Sequence, residues 1–497
     1  MRLSELCVGL DIPRGFENTE IGGVKTDSRR VEKGDLFICI RGLHADGHSF
    51  AEDAVKRGAA AILVCEDYEG TPNVLLLRTK DTRSAAARIY NAWYGDPASK
   101  LHVIAVTGTN GKTSVTFMLR AIFEAALYRC GLIGTVSCYS AGRRMEIRSE
   151  NPLANMTTPD PEELYRILAE MVKDGVEYVF MEVTSHALAL GKPDAIHFDA
   201  AVFTNLTPEH LDFHGDMATY FETKKRLFDL CDRAVLNIDD AYGARLADEL
   251  QLPFVTCSAK GKNADYVATQ ICNHGVDGNE YRVVSADKRF TVRTQIPGTF
   301  SVINSLEAAA CASMLGIPPG VIMTALGALA GIDGRMERVR LGVLVEYSVF
   351  IDYAHTPDAL ENLLMTARSL CRDGERVVLL FGCGGDRDKS KRRVMGEIAA
   401  RLADFVILTS DNSRSEEPME IIREIQEGLV GSDYVIVPER RRAIEFAIRE
   451  AHDGDVILLA GKGHEEYEID RLGKRFFSEK QIAVEAAGKY KSEREKL

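Results

Sequence analysis

Residues 101–126 read LHVIAVTGTNGKTSVTFMLRAIFEAA, and the fold turns on how this stretch is parsed. "LHVIAV" is a short apolar run, as expected of a strand buried on both faces. Val115, Met118, Leu119, Ile122, Phe123 and Ala126 then recur at helical spacing and mark one face of a helix. Between strand and helix lies Gly108-Thr109-Asn110-Gly111-Lys112-Thr113-Ser114. Backbone N–H groups and a helix N-terminus suit phosphate oxygens. Lys112 adds a point charge for the outer phosphates, and the Thr113 hydroxyl can ligate Mg²⁺. The strict phosphate-loop pattern places a glycine where this chain has Val106, so the plain alternative is a Gly-rich turn. The flanking strand and helix favour the phosphate cradle.

The βα pattern extends outward from this point. "YVFMEV", "AAVFTNL" and "RAVLNID" read as further strands alternating with helices, which implies a parallel, doubly wound sheet. Residues 258–296 interrupt it with short strand-like pieces, read as a side sheet. A third βα series starts near Arg335, with strands "VEYSVFIDY", "RVVLLFG", "FVILTS", "YVIVP" and "DVILLAG". Several of these end in polar or Gly-rich loops, where an open α/β sheet binds ligands. Before Leu101 the pattern is a small mixed unit, with "GDLFICIRG" and "AAAILVCED" as strands around the helix "SFAEDAVKRG". The expected organisation is α/β in three domains: a small mixed domain over 1–98, a central doubly wound P-loop domain over 99–333 and a Rossmann-like domain over 334–497.

Composition bounds the function. The chain has 497 residues and a net charge of −13, which argues against bulk nucleic-acid or membrane binding. No run is long and apolar enough to span a bilayer, and the first residues lack a signal-peptide pattern, so a cytoplasmic protein is expected. Eleven scattered cysteines without a C-x-x-C pair read as reduced core thiols. No guanine-reading Asn-Lys-x-Asp follows a strand, and two further domains are present. Both points favour an enzyme joining substrates over a nucleotide switch. A magnesium site needs hard oxygen ligands near the outer phosphate. Glu182, at the end of "YVFME", is the preferred ligand, with His210 a weaker candidate on the next strand's loop.

"GTNGKTS", "EVTSHAL", "FTNLTPEHLDFHGD", "YFETKKRLF", "GRMERV", "DYAHTPDAL", "GCGGDRDKSKR", "DNSRSEEP" and "AGKGHEEYE" occur in one order along the chain. In that order they resemble the Mur ligase family over essentially the whole length. The set is most similar to the branch that adds the third residue of the peptidoglycan stem peptide. The resemblance implies amide formation from a carboxylate and an amine with ATP converted to ADP and phosphate. The substrates it implies are a UDP-N-acetylmuramoyl-dipeptide and meso-diaminopimelate, with ATP and Mg²⁺ as cofactors and a monomeric state. A carboxylate is a poor electrophile; its phosphorylation makes an acyl phosphate that an amine can attack.

By motif, the resemblance places Lys112 and Thr113 on the ATP phosphates and first Mg²⁺, and Glu182 and His210 near the metals. Lys224, in a Y-x-x-x-K element from Tyr220, resembles a lysine carbamylated in relatives, where a carbamate would give a second Mg²⁺ an anionic oxygen. Asn304 is implied as the adenine reader, and Arg335, Asp352, Tyr353 and His355 as further ATP contacts. Thr26, Asp27 and Ser28, with Leu43, His44 and Ala45, fall on uridine-diphosphate positions. Thr157, Thr158, Thr184 and Lys192 match contacts to the muramoyl-peptide. Asp411, Asn412, Ser413 and Arg414, with Arg387, Gly461 and Glu465, match the amino-acid site. Arg414 is the implied partner of the distal carboxylate of diaminopimelate. Lysine lacks that group and would leave the guanidinium unpaired, at a cost on the order of several kcal/mol. Relatives of this branch carry Pro where this chain has Ser413, and Glu465 suits the distal ammonium.

Overall fold

The computed structural model describes residues 1–42, 45–145, 147 and 157–494. Leu43 and His44, both expected at the uridine-diphosphate site, lie outside the described residues. The chain forms two compact units, Met1–Thr256 with Ala310–Leu315, and Cys257–Ala309 with Gly316–Leu497.

The first unit contains two sheets. Four parallel strands, Val24–Lys25, Leu36–Ile38, Ala61–Cys65 and Leu75–Thr79, lie in that order. The helix Ala51–Lys56 connects the second and third, as the alternation of "FICI" and "AILVC" predicts. The second sheet runs Ala234–Asn237, Ala200–Phe203, His102–Thr107, Tyr178–Glu182 and Cys130–Ile133, all parallel. An antiparallel hairpin, Cys138–Ser140 and Arg143–Met145, extends its edge. His102–Thr107 is flanked by strands that follow it in sequence on both sides, so its carboxyl end is a topological switch point. The helix Lys112–Ala125 packs against this sheet and buries Val115, Met118, Leu119, Ile122 and Phe123 completely. Burying side chains of this kind is worth about 1.5–3 kcal/mol each.

The second unit carries the short strands read over 258–296 as three antiparallel strands, Tyr266–Asn273, Asn279–Val284 and Arg289–Thr294; they do not form the separate side sheet expected, since Cys257 and Ser258 pair in parallel with the first of them. Its larger sheet orders the parallel strands Ser348–Asp352, Val456–Ala460, Val377–Phe381, Phe405–Leu408 and Tyr434–Ile436, with Glu337–Arg338 antiparallel at one edge. Each of the five strands read from the third βα series is present. Helices cover both faces, and two apolar clusters, one around Leu379 and Phe381 and one around Leu380 and Ile457, fill the layers. Val276 and Phe300 pack on the first of these clusters. A hairpin that sequence reading did not single out, Tyr467–Asp470 with Gly473–Phe476, follows the last strand.

All eleven cysteines are thiols; nine are buried, Cys371 is half-buried and Cys272, on the strand Tyr266–Asn273, is exposed. Burial pushes Cys7, Cys39, Cys130, Cys138, Cys231, Cys311 and Cys383 up to about 12. No helix among the described residues is long and apolar enough to cross a membrane.

Candidate active site

In the first unit, the switch-point strand ends at Thr107 and the chain turns through Gly108 and Gly111, both at positive φ, into the helix at Lys112. Gly108 is required for space as well as conformation: a Cβ there would sit 2.0 Å from Thr204 Oγ1. The loop is held by its neighbour. Thr109 N–H donates to Asn205 O at 2.9 Å, and Asn110 N–H donates to Asn205 Oδ1 at 2.9 Å. Thr204 Oγ1 donates to Asn110 O at 2.6 Å. Two of the amides expected to face phosphate are thus engaged by Asn205, a residue the sequence reading did not single out. Lys112 Nζ folds back onto Gly108 O (2.9 Å) and Thr109 O (2.7 Å). Ser114 is buried in the first helical turn.

Glu182 ends its strand fully buried. Its Oε2 accepts from Thr113 Oγ1 at 3.0 Å and from Thr135 Oγ1 at 3.1 Å, and its Oε1 from Thr135 N–H at 2.9 Å. Thr135 is a second residue missed from sequence, since no motif surrounds it. Lys224 is buried, and its Nζ donates to Gly108 O at 2.9 Å. Burial, and then the nearby Lys112 cation, hold its amine well below the ordinary lysine value. His210 caps a short helix at φ 57° and meets His186 edge-on, ring centroids 4.7 Å apart. Burial lowers its imidazole, against the opposing pull of Glu209. Burial, then His210 and His214, push His186 down to about 4. His214 Nε2 pairs with Ser185 Oγ at 2.9 Å, and its ring stacks on Tyr220. Tyr220 OH reaches Thr109 Oγ1 at 3.3 Å, which ties this group to the phosphate loop.

The expected muramoyl-peptide residues converge on the same carboxyl edge. Thr157 Oγ1 lies 2.9 Å from Thr135 Oγ1. Thr158 Oγ1 donates to Glu182 O at 2.9 Å and accepts from Thr184 N–H at 3.2 Å. Buried Lys192 pairs with Asp160 at 2.9 Å and donates to Thr158 O at 3.2 Å. Thr26 and Ala45 are exposed, Ser28 is buried, and Asp27 caps the turn Ser28–Arg30.

Among the described residues no three His, Cys, Asp or Glu side chains are grouped to hold a metal ion alone. The Thr113 hydroxyl against the Glu182 carboxylate is a pair of hard oxygen donors, a set that fits Mg²⁺, which keeps water or phosphate oxygens as its other ligands.

In the second unit, Asn304 is buried on the helix Thr299–Met314. Asp352 ends its strand and accepts from Met336 N–H (2.7 Å) and Ala354 N–H (2.8 Å). Burial raises its carboxyl, opposed by Arg335. The Arg335 guanidinium lies 5.3 Å from the Tyr353 ring centroid. His355 Nδ1 pairs with Tyr353 O at 2.8 Å, and Lys391 Nζ donates to His355 O at 2.7 Å. Burial, then Lys391, lower the His355 imidazole.

The loop Asp411–Arg414 follows the strand Phe405–Leu408. Arg414, at φ 50°, donates from its guanidinium to Gly385 O (2.8 Å) and Asn412 O (3.2 Å). Arg387 lies by the same glycine, Gly384, as Arg414, and burial, then the Arg414 cation, lower its guanidinium. Burial would raise Asp411, but Lys462, Arg440 and the Asn412 N–H hold its carboxyl below the ordinary value. Gly461, at φ 112°, lets the chain pass where a Cβ would lie 2.7 Å from Asp411 Oδ2. Glu465 Oε2 accepts from Asn412 Nδ2 at 2.8 Å. Ser413 is buried, and its N–H has no partner among the described residues. The loop is tied down beyond it: Ser415 pairs with Asp386 at 2.6 Å, and Glu416 joins Arg392 (2.9 Å), Lys389 (3.0 Å) and the Asp386 N–H (2.6 Å).

The first unit therefore brings Thr113, Glu182, Thr158 and Lys224 around the loop Gly108–Ser114, and the second brings Asn412, Arg414 and Glu465 around the loop Asp411–Arg414. Three family models match the chain: "Mur ligase family, catalytic domain" over 20–94, "Mur ligase middle domain" over 106–312 and "Mur ligase, glutamate ligase domain" over 334–463. Relatives named UDP-N-acetylmuramoyl-L-alanyl-D-glutamate--2,6-diaminopimelate ligase include those of Clostridium perfringens and Caldanaerobacter subterraneus subsp. tengcongensis. The first is 39% identical over 98% of this chain and 99% of its own. The second is 42% identical over 98% of each. A solved structure of a ligase of that name superposes with a TM-score of 0.70 at 30% identity, covering 98% of this chain and 99% of the other. With matches of this identity running almost end to end, the chain belongs to the Mur ligase family.

Proposed function

We propose that the chain is an ATP-dependent, ADP-forming ligase that joins meso-2,6-diaminopimelate to UDP-N-acetylmuramoyl-L-alanyl-D-glutamate, a step in peptidoglycan precursor synthesis. The near full-length relatives bearing that name support the reaction. The observation that carries the choice of amine is that Arg387 and Arg414 both lie against Gly384, within 3.8 Å and 2.9 Å of where its Cβ would be, with Glu465 on Asn412 of the same loop. Two guanidiniums hold a carboxylate and one carboxylate holds an ammonium, which is the charge pattern of the distal end of diaminopimelate.

In this reading a carboxylate oxygen of the peptide attacks the γ-phosphorus and the bond to ADP breaks. The amine then attacks the acyl carbon, phosphate leaves and the nitrogen loses a proton. Gly108 to Ser114 cradle the phosphates, and Lys112 leaves its loop carbonyls to neutralise them. Thr113, Glu182 and His210 are the proposed Mg²⁺ donors, with Lys224 as a carbamate; Mg²⁺ supplies charge neutralisation at the transferring phosphoryl group. The lowered Lys224 amine supports that assignment, because carbamate forms from the neutral amine. The lowered imidazole of His210 suits a ligand, since only the neutral ring binds metal. Asn304, Arg335, Asp352 and His355 are assigned to the nucleotide. Thr26, Ser28 and Ala45 are assigned to the uridine diphosphate, and Thr157, Thr158, Thr184 and Lys192 to the muramoyl-peptide. The domain limits 1–98, 99–333 and 334–497, a cytoplasmic monomer, and no nucleic-acid or membrane partner complete the reading.

A phosphate-release screen tests it: UDP-N-acetylmuramoyl-L-alanyl-D-glutamate and ATP are held constant while diamino acids are varied. Phosphate release with diaminopimelate well above that with lysine is the expected result. Equal catalytic efficiency for the two removes the assignment of Arg414.

A further inference from the structure

The motif "AGKGHEEYE" contains a lysine to which the sequence reading gave no role. Lys462 follows the strand Val456–Ala460 and is fully buried. A buried ammonium without partners is costly, so its contacts carry information. Its Nζ donates to Asn412 Oδ1 at 3.0 Å and to Tyr467 O at 2.9 Å, and lies 3.6 Å from Asp411 Oδ1. Asn412 Oδ1 also accepts from Ile469 N–H at 2.9 Å. Two donors converging on one atom leave a single workable orientation for the amide, oxygen toward Lys462 and nitrogen away. The nitrogen then meets Glu465 Oε2 at 2.8 Å. Lys462 is thus one residue removed from the carboxylate assigned to the incoming amine.

We propose that Lys462 is a positioning residue for amino-acid selection: through Asn412 it aims the Glu465 carboxylate at the distal ammonium of the incoming amine. The proposal rests on the assignment of Glu465 made above. The surrounding charges agree with it. Burial, and then Asp411, raise the Glu465 carboxyl, while Lys462, Asn412 and Tyr467 pull it down. The Glu465 charge is also felt by Arg387 and Tyr353. Removing Lys462 deletes the largest opposing influence and leaves burial and Asp411 less opposed in raising the Glu465 carboxyl.

The test uses the full chain, with kcat and each KM measured by phosphate release across the acid limb of the pH profile. Lys462→Met is expected to raise KM for the diamino acid about thirty-fold with kcat within about three-fold. It is also expected to move the acid limb of kcat/KM for the amine upward by about one pH unit. Lys462→Arg restores most of the limb. In a Glu465→Gln background the titrating group is gone, and Lys462→Met leaves the remaining profile in place. An unmoved limb, or a loss spread evenly over kcat and all three KM values, overturns the proposal. If Lys462→Met does not fold, Asn412→Leu decides by the same two readings. Wild-type enzyme that is silent with diaminopimelate but active with another diamino acid overturns the proposed substrate instead, and the Lys462 effect is then read with the amine accepted.

Discussion

The phosphate loop and the Asp411–Arg414 loop both follow a buried parallel strand, yet they are held by different means. The first is held by closeness of backbone: Gly108 admits Thr204, and Asn205 binds the amides of Thr109 and Asn110. The second is held by charge buried beside it: Arg392 on Glu416, Arg440 on Glu479 and Lys462 on Asn412. A backbone-held loop keeps its shape whatever the ionisation of its surroundings. A charge-held loop keeps its shape only while its acids stay ionised and its cations stay paired.

The largest expected effect is at the backbone-held loop. Lys112→Ala removes the one mobile charge the cradle supplies, and ADP formation should fall about a thousand-fold. A fall of less than ten-fold would mean that the loop amides carry the phosphates alone. Next comes Arg414→Met. KM for diaminopimelate should rise by a factor equivalent to about 2–3 kcal/mol while KM for lysine barely moves, as charged hydrogen bonds of this type predict. A parallel change for both amines would show that the guanidinium holds the loop and not the substrate.

A smaller effect tests the charge-held loop through pH. Arg392 first, then the Asp386 N–H and Lys389, hold Glu416 down to about 2 from an ordinary 4.5 against the opposing effect of burial. A carboxyl depressed in the folded state adds stability above its unfolded value, and that stability is lost as pH falls through the folded one. Between about 4.5 and about 2 the wild type should therefore lose stability with falling pH more steeply than Glu416→Gln, as thermal melts would record. Identical slopes would mean that the pair is screened by solvent. The smallest effect is at Ser413. Its N–H makes no bond that proline would break, and the loop is pinned on the far side by Ser415 and Glu416. Ser413→Pro should change KM for diaminopimelate by less than about two-fold, within the usual range for a compatible proline.

The contrast also explains what the sequence made legible. The phosphate loop is local: strand, glycines, lysine and helix face occupy adjacent positions, and each has a period or a punctuation mark. The strands "VVLLF" and "VILLA" are short apolar runs bounded by glycine or charge, and both fall where expected. Partners distant in the chain carry no such mark. Thr135 lies 47 positions from the Glu182 it binds, and Lys462 lies 50 from Asn412. Nothing in "GTVS" or "GKGH" announces those bonds; they exist only once the strands bring the loops together. The compact units divide at Thr256–Cys257, where composition does not change, because Val276 and Phe300 find their apolar partners much later in the chain.

Thiol chemistry sees this molecule almost as a single target. With Cys272 exposed on the antiparallel strands, nine thiols buried and the half-buried Cys371 raised to about 11, a maleimide at neutral pH should modify Cys272 well before any other position in the native chain. A fluorophore or spin label can thus be attached to the unaltered protein, without cysteine-removing mutagenesis.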